Sequence, residues 1–231
     1  ESLIKEKEAE LEATFGVSLM VPDHPQLNFE HHGDRLFHAA STMKIPVMIE
    51  VFKRAKEGQF KMTDKVIVNE NCRSYLDDSP FVVDAGDYLS TRIGEEETIL
   101  RLTEEMVVVS DNLATNQLIN MTGASKITSS MRELGAKTGY VLRGVEDIPA
   151  YEAGLSNRLT PNDLTALLDA IEQGEAGDEE GTEEMKRILL AQEYNDMIPK
   201  YLPEDVKVGH KTGSITAHRH DAATVYAPSG T

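Results

Sequence analysis

A single cysteine, Cys72, stands in this chain of 231 residues, which excludes an internal disulfide and any cysteine-based zinc site. Its flanks, Asn71 and Arg73, give it none of the context of a catalytic thiol. No apolar run approaches the roughly 20 residues that a membrane-crossing helix requires. Basic residues are scarce as well: 23 Lys and Arg stand against 40 Asp and Glu, a net charge of −17. That balance excludes the phosphate-neutralising surface of a nucleic-acid binder and disfavours adsorption to anionic membranes. It serves solubility and repels anions at long range, so a site for an anionic ligand must carry its own local cations. Internal repeats and flexible linkers are absent, and the length suits one domain or one intertwined pair. The first residues, Glu1 to Glu8, lack the basic-then-apolar plan of a secretory signal. The compartment is left open: inside the cell, or exported with a signal removed.

Hydrophobic spacing outlines the elements. Ile4, Leu11 and Phe15 among charged residues predict an opening helix closed by Gly16, and Val17, Leu19 and Val21 alternate as a strand. A second short strand is expected through Leu27 and Phe29, ending near Gly33. From Thr42 to Ala55 the apolar residues run almost all round, the signature of a helix buried in the molecule. Further helices are expected over about 98–109, 113–121 and 125–134, the last two stopped by Gly123 and Gly135. An irregular stretch covers about 140–158. Thr160-Pro161-Asn162-Asp163 then starts another helix, with Thr as cap and Asp three residues on. The acidic, Gly-rich run from Gly174 to Glu184 reads as a solvated connection. Val206 and Val208 lead a strand into Lys211-Thr212-Gly213, and Ala222, Thr224 and Tyr226 form a last strand before Pro228. Strands near both ends and helices between them imply one sheet from residues 1–40 and 200–231. A mainly helical part spans 41–199.

Three short motifs carry chemistry. In Ser41-Thr42-Met43-Lys44 the spacing puts both functional side chains on one helix face, about 4.5 Å apart along the axis. Burial and nearby cations lower a lysine's pKa, and a neutral Lys44 can take the proton of Ser41 and leave a nucleophile. Ser2-Leu3-Ile4-Lys5 has the same spacing without that setting. Ser110-Asp111-Asn112 falls between two helices, where the same residue types also serve as caps. Lys211-Thr212-Gly213 lies on a strand, with Lys and Gly expected on one face, Thr on the other, and Gly permitting close approach of a ligand. Each of the last two motifs arises by chance in a few per cent of such chains, and both together in roughly one per thousand. Arg219 is a candidate second cation near Lys211. His218 and His220 share one side of a strand as metal ligands do. The other histidine pair, His31-His32, is far away in sequence, so no metal and no cofactor are assigned.

Together the motifs resemble the class A β-lactamases and the related penicillin-binding serine hydrolases. The resemblance runs from about residue 1 to 227. It is most specific in Ser41 to Pro46, Ser110-Asp111-Asn112, Arg143-Gly144-Val145-Glu146-Asp147 and His210 to Ser214. It implies an α/β (α+β) fold: an antiparallel sheet flanked by helices plus an all-α subdomain, with the active site at their seam. It further implies that Ser41 is acylated by an opened lactam, with Lys44 or a Glu-bound water as base. Ser110 relays a proton to the leaving nitrogen, Asn112 holds the substrate amide, and Lys211, Thr212 and Gly213 form the carboxylate-binding strand. The oxyanion hole comes from the N–H groups of Ser41 and Ser214.

The glutamate that activates water for deacylation has two candidates. Position after Arg143 favours Glu146, and the local pattern Glu152-Ala153-Gly154-Leu155-Ser156 favours Glu152; Glu146 is preferred. Asn157 stands where the family has the Asp that pairs with the loop Arg, which weakens the expected bracing. If neither Glu is well placed, the protein acylates without turnover. In the family the Lys-Thr-Gly strand is followed by two more strands and a helix. Here one strand is legible after it, so a separate segment or second chain is expected to complete the sheet. The expected substrate is a small β-lactam or peptidoglycan-like molecule. Rival readings are a D-alanyl peptidase, an esterase, or a penicillin-binding sensor that does not turn over.

Overall fold

The computed structural model describes residues 1–227. Pro228, the expected strand stop, lies outside them. The chain opens with α1 (Ser2–Leu11), which ends at Glu12 in a left-handed conformation rather than running on to Gly16. Then come β1 (Val17–Leu19), a 3-10 turn at Pro25–Leu27, β2 (Phe29–His31) and β3 (Phe37–His38). Leu27 therefore sits in the turn and only Phe29 in a strand, because Pro25 starts the turn.

The centre is α2 (Lys44–Lys56), whose residues from Lys44 through Phe52 are all buried. Around it the chain lays β4 (Lys65–Ile67), β5 (Cys72–Arg73), β6 (Pro80–Phe81), α3 (Asp87–Ser90), β7 (Glu96–Thr98), α4 (Ile99–Val108), α5 (Asn112–Thr122) and α6 (Ala124–Glu133). Leu102 and Met106 of α4, Leu113 and Leu118 of α5 and Ile127 and Met131 of α6 complete the core against Ile45, Met48, Ile49 and Phe52. Burying such side chains stabilises by about 1.5–3 kcal/mol each before chain entropy is subtracted.

The stretch 140–158 is not wholly irregular, for it contains α7 (Ile148–Glu152) and runs into β8 (Arg158–Leu159), which pairs with β3. Asp147 caps α7 and Pro149 lies in its first turn, the usual start signals of a helix. In α8 (Pro161–Glu172) the capping box is complete: Thr160 Oγ1 accepts from Asp163 N at 3.0 Å, and Asp163 Oδ2 accepts from Thr160 N at 3.1 Å. The acidic run at 174–184 is corrected more strongly. Its second half starts α9 (Glu179–Leu190), capped by Asp178, with Glu179 and Glu180 in the first turn where the helix dipole favours them.

The chain finishes with β9 (Lys207–Ile215) and β10 (His218–Tyr226), an antiparallel hairpin paired over nine residues. The single sheet expected from both ends is not formed among the described residues. β1 pairs with β2, β9 with β10, and no ladder joins the two pairs.

Candidate active site

Ser41 does not open α2 directly. It lies in a 3-10 turn, Ala40–Met43, that feeds into the helix. This turn is held from three sides: Ala39 N donates to Asn157 O at 3.0 Å, Ala40 N to His38 Nδ1 at 3.0 Å, and Thr42 Oγ1 to Ala39 O at 2.6 Å. Ala40 has φ 46°, a conformation that L residues rarely hold. The N–H of Ser41 finds no acceptor among the described residues, whereas those of Ala40 and Thr42 do. A free, aimed backbone donor beside a hydroxyl is what a developing oxyanion requires.

Lys44 is fully buried. Its Nζ lies 2.7 Å from Ser110 O, 3.1 Å from Ser110 Oγ, 2.8 Å from Asn112 Oδ1 and 3.4 Å from Asp111 O. Among the described residues it makes no hydrogen bond to Ser41 Oγ, contrary to the simple spacing argument; the amine turns toward the loop before α5. Burial first, and Lys211 second, push its pKa well below the usual lysine range, against the pull of Asp111 and Glu146. Of its four contacts only the Ser110 hydroxyl can donate to a neutral amine, so Ser110 is the natural proton partner of Lys44.

The Ser110-Asp111-Asn112 motif serves as cap and as site at once. Asp111 is the cap: Oδ1 accepts from Ala114 N at 2.7 Å and Oδ2 from Gly86 N at 2.5 Å. Ser110 takes φ 63°, and the two flanking side chains are left to face Lys44. Asn112 passes the network on, since its Nδ2 donates to Glu146 Oε1 at 2.5 Å. Glu146, at φ 58°, also accepts from Asp84 N at 3.1 Å. Glu152 is exposed at the end of α7 and has no hydrogen bond to these groups. Of seven non-glycine residues with left-handed φ among the described residues, two are Ser110 and Glu146 and a third, Ala40, precedes Ser41. Strain of about 1–3 kcal/mol each is thus concentrated at this point.

The loop that carries Glu146 is braced without an Arg–Asp pair. Asn157 Oδ1 accepts from Leu142 N at 2.8 Å and Arg143 N at 3.1 Å, and its Nδ2 donates to Arg143 O at 3.0 Å. Arg143 instead reaches the carbonyls of Leu155 and Gly144 and lies over the ring of Tyr151. Asn116, to which the sequence does not point, and Asp147, which the sequence offers only as the end of the Arg143–Asp147 segment, hold the other side. Asn116 Oδ1 accepts from Val145 N at 2.7 Å, and buried Asp147 accepts from Ser74 Oγ at 2.7 Å and Tyr75 N at 2.8 Å. Their partners are remote in the chain, so no local signal announced them.

The opposite wall is β9. Ser41, Ser110 and Asn112 face Thr212, Gly213 and Ser214 across a cleft of about 360 Å³. A Cβ on Gly213 would lie 3.0 Å from the backbone nitrogens of both Ser41 and Thr42, so only glycine lets the strand come this close. Thr212 and Gly213 both line the cleft, and Lys211 does not. Lys211 is fully buried and donates to Thr212 O at 2.9 Å. Burial lowers its pKa to about 7, with Asp221 opposing. Arg219 reaches the cleft, but as half of an exposed pair with Asp196 at 2.5 Å rather than as a free second cation. Behind β9, buried His210 bridges Asp221 Oδ1 (2.9 Å) and Asn195 Oδ1 (3.1 Å). His38 joins His218 and His220, with ring centroids 6.0 Å apart in each successive pair. The donor atoms of these three do not converge as metal ligands do.

The fold matches known proteins over nearly the whole chain. A solved β-lactamase from Sphaerobacter thermophilus is 29% identical and superposes with a TM-score of 0.86, over 99% of this chain and 82% of that one. PBP-A, solved as a point mutant in an acyl-enzyme complex with penicillin G, is 26% identical with a TM-score of 0.84, over 99% and 82%. Among sequences, β-lactamase AST-1 of Nocardia asteroides is 28% identical, covering 89% of this chain and 66% of its own length. β-Lactamase BRO-1 of Moraxella catarrhalis is 22% identical, covering 95% and 68%. The chain thus spans about two thirds of these two relatives. The profile of the β-lactamase enzyme family matches residues 1–231, and with the fold and the cleft described above it follows that this chain belongs to that family.

Proposed function

We propose that the protein opens β-lactams through an acyl-Ser41 ester and then hydrolyses that ester. The observation that carries this reading is one continuous network. Lys44 contacts both Ser110 and Asn112, and Asn112 contacts Glu146, on the rim of the cleft that Ser41 lines. In acylation the Ser41 proton passes to neutral Lys44, directly on substrate binding or through water held by Glu146, and Oγ bonds the lactam carbonyl carbon. The C–N bond breaks, and the nitrogen takes a proton from Lys44 by way of Ser110. The N–H of Ser41, with that of Ser214, stabilises the oxyanion. The substrate carboxylate meets Thr212 and Ser214, with the charge of buried Lys211 behind Thr212 and Arg219 at the rim; Asn112 holds the amide side chain. In deacylation Glu146 takes a proton from water, the hydroxide oxygen bonds the carbonyl carbon, and Ser41 Oγ leaves and recovers its proton.

A second reading, acylation with slow turnover, is favoured by Asn157 in place of an ionic brace and by the likeness to PBP-A. Mass spectrometry of the intact chain after penicillin G, followed over time, separates the two. A mass increase that decays supports hydrolysis; one that persists supports the penicillin-binding role. Ser41→Ala is expected to abolish the increase. Labelling that survives this change, or that maps to another residue, overturns the nucleophile assignment.

A further inference from the structure

Outside the cleft, three side chains from two elements meet at the seam between α1 and the β1–β2 hairpin. Glu8 comes from the middle of α1, His31 closes β2, and His32 follows at once. In extended backbone, neighbouring side chains point to opposite faces. His32 escapes that rule because it adopts φ 49°, and its ring lies 4.3 Å, centroid to centroid, from that of His31. Glu8 Oε1 is 3.2 Å from His31 Nε2 and 3.8 Å from His32 Nε2, and one donor atom from each residue lies within 4.8 Å of the other two. A four-coordinate ion with bonds of about 2.0–2.2 Å spaces its ligand atoms roughly 3.3–3.6 Å apart, so small rotations close this set on a metal.

Two observations favour an ion over a plain His–carboxylate contact. His31 has only 8% of its side chain exposed, yet its buried Nε2 has no hydrogen-bond partner: Glu8 is close but misaligned for one. Such a nitrogen costs free energy unless something takes its lone pair or proton. The carboxylate is also held in place beforehand, since Phe15 N donates to Glu8 Oε1 at 2.8 Å. We infer that Glu8, His31 and His32 form a binding site for one borderline divalent transition ion, Zn²⁺ in class. Two imidazole nitrogens and a carboxylate oxygen supply the protein ligands, and water fills the shell on the exposed side of His32. Two imidazoles argue against Ca²⁺ and Mg²⁺, which take oxygen ligands. The role is structural. Helix α1 buries none of its own side chains, and the ion would clip it to β2.

The test titrates ZnCl2 into the metal-free full chain by calorimetry, with thermal unfolding followed in parallel and Co²⁺ as a spectroscopic substitute. Saturable binding of one ion per chain is expected, with a melting temperature that rises with ion concentration. His32→Ala alters an exposed ring and should leave the fold intact. It is expected to weaken binding by at least the roughly 10–100-fold seen when an outer-shell partner of a metal is lost. Glu8→Gln should act likewise and His218→Ala should change nothing. The proposal is overturned by an absence of saturable binding. It is equally overturned by binding that survives both Glu8→Gln and His32→Ala, or that His218→Ala abolishes.

Discussion

Raising the pH from about 6 to 9 discharges Lys211, and the kinetics should follow it. Burial has brought this lysine to about 7, so below that value its buried charge is there to attract a substrate carboxylate held on Thr212 and Ser214, and above it the amine is neutral. The charged fraction is about 90% at pH 6, about 10% at pH 8 and about 1% at pH 9. For a carboxylate-bearing lactam, kcat/KM should therefore fall roughly tenfold per unit above pH 7, about a hundredfold by pH 9, or about 2.7 kcal/mol of lost capture. Thr212 and Ser214, which donate as hydroxyls at every pH, set the floor. Lys44 works in the opposite sense: its role as base needs the neutral amine, so its titration shapes the acid limb. The assay is initial-rate hydrolysis of a chromogenic lactam across that range at fixed ionic strength. A neutral ester without a carboxylate serves as control. A flat alkaline limb for the lactam, or an equal fall for the ester, would refute the assignment to Lys211.

Two structural predictions follow from the walls of the cleft. Gly213→Ala places a methyl group 3.0 Å from the Ser41 and Thr42 nitrogens, backbone that has no rotamer to escape by. Acylation by penicillin should slow about tenfold from the forced separation, read as the rate of mass increase, while unfolding stays cooperative. Asn157→Ala removes two acceptor contacts and one donor contact in a buried loop. It should cost about 2–4 kcal/mol in urea denaturation, and it should lengthen the life of the acyl-enzyme more than it slows its formation, because the loop positions Glu146.

Where chemistry is encoded locally, the chain could be read in advance. Thr160 and Asp163 announce their capping box three residues apart, and Ser41, Ser110, Asn112 and Thr212 to Ser214 line one cleft, with Lys44 and Lys211 buried behind its walls. Helix α9 was hidden by its charge. Glu179, Glu180, Glu183 and Glu184 suggested a solvated link, although Met185, Ile188 and Leu189 recur at helical spacing and are buried. The contact of Lys44 with Ser110 is not legible in the sequence, because spacing along one helix says nothing about a loop 66 residues on. The roles of Asn116, Asp147 and the His210–Asp221–Asn195 chain are hidden for the same reason: each contacts a residue distant in sequence, and only the folded chain brings them together. The Glu8–His31–His32 cluster needed a turn at His32 that no periodicity predicts.

The two walls of the cleft differ in how deeply they are anchored. One grows from α2, with nine consecutive buried residues; the other is a hairpin whose outer strand, β10, buries only Ala222. Segments so unequally embedded open at unequal free energies, the shallow one first. As conditions turn harsh, the hairpin should part from the helix while the core still holds, and the capacity to process substrate should disappear before the fold does.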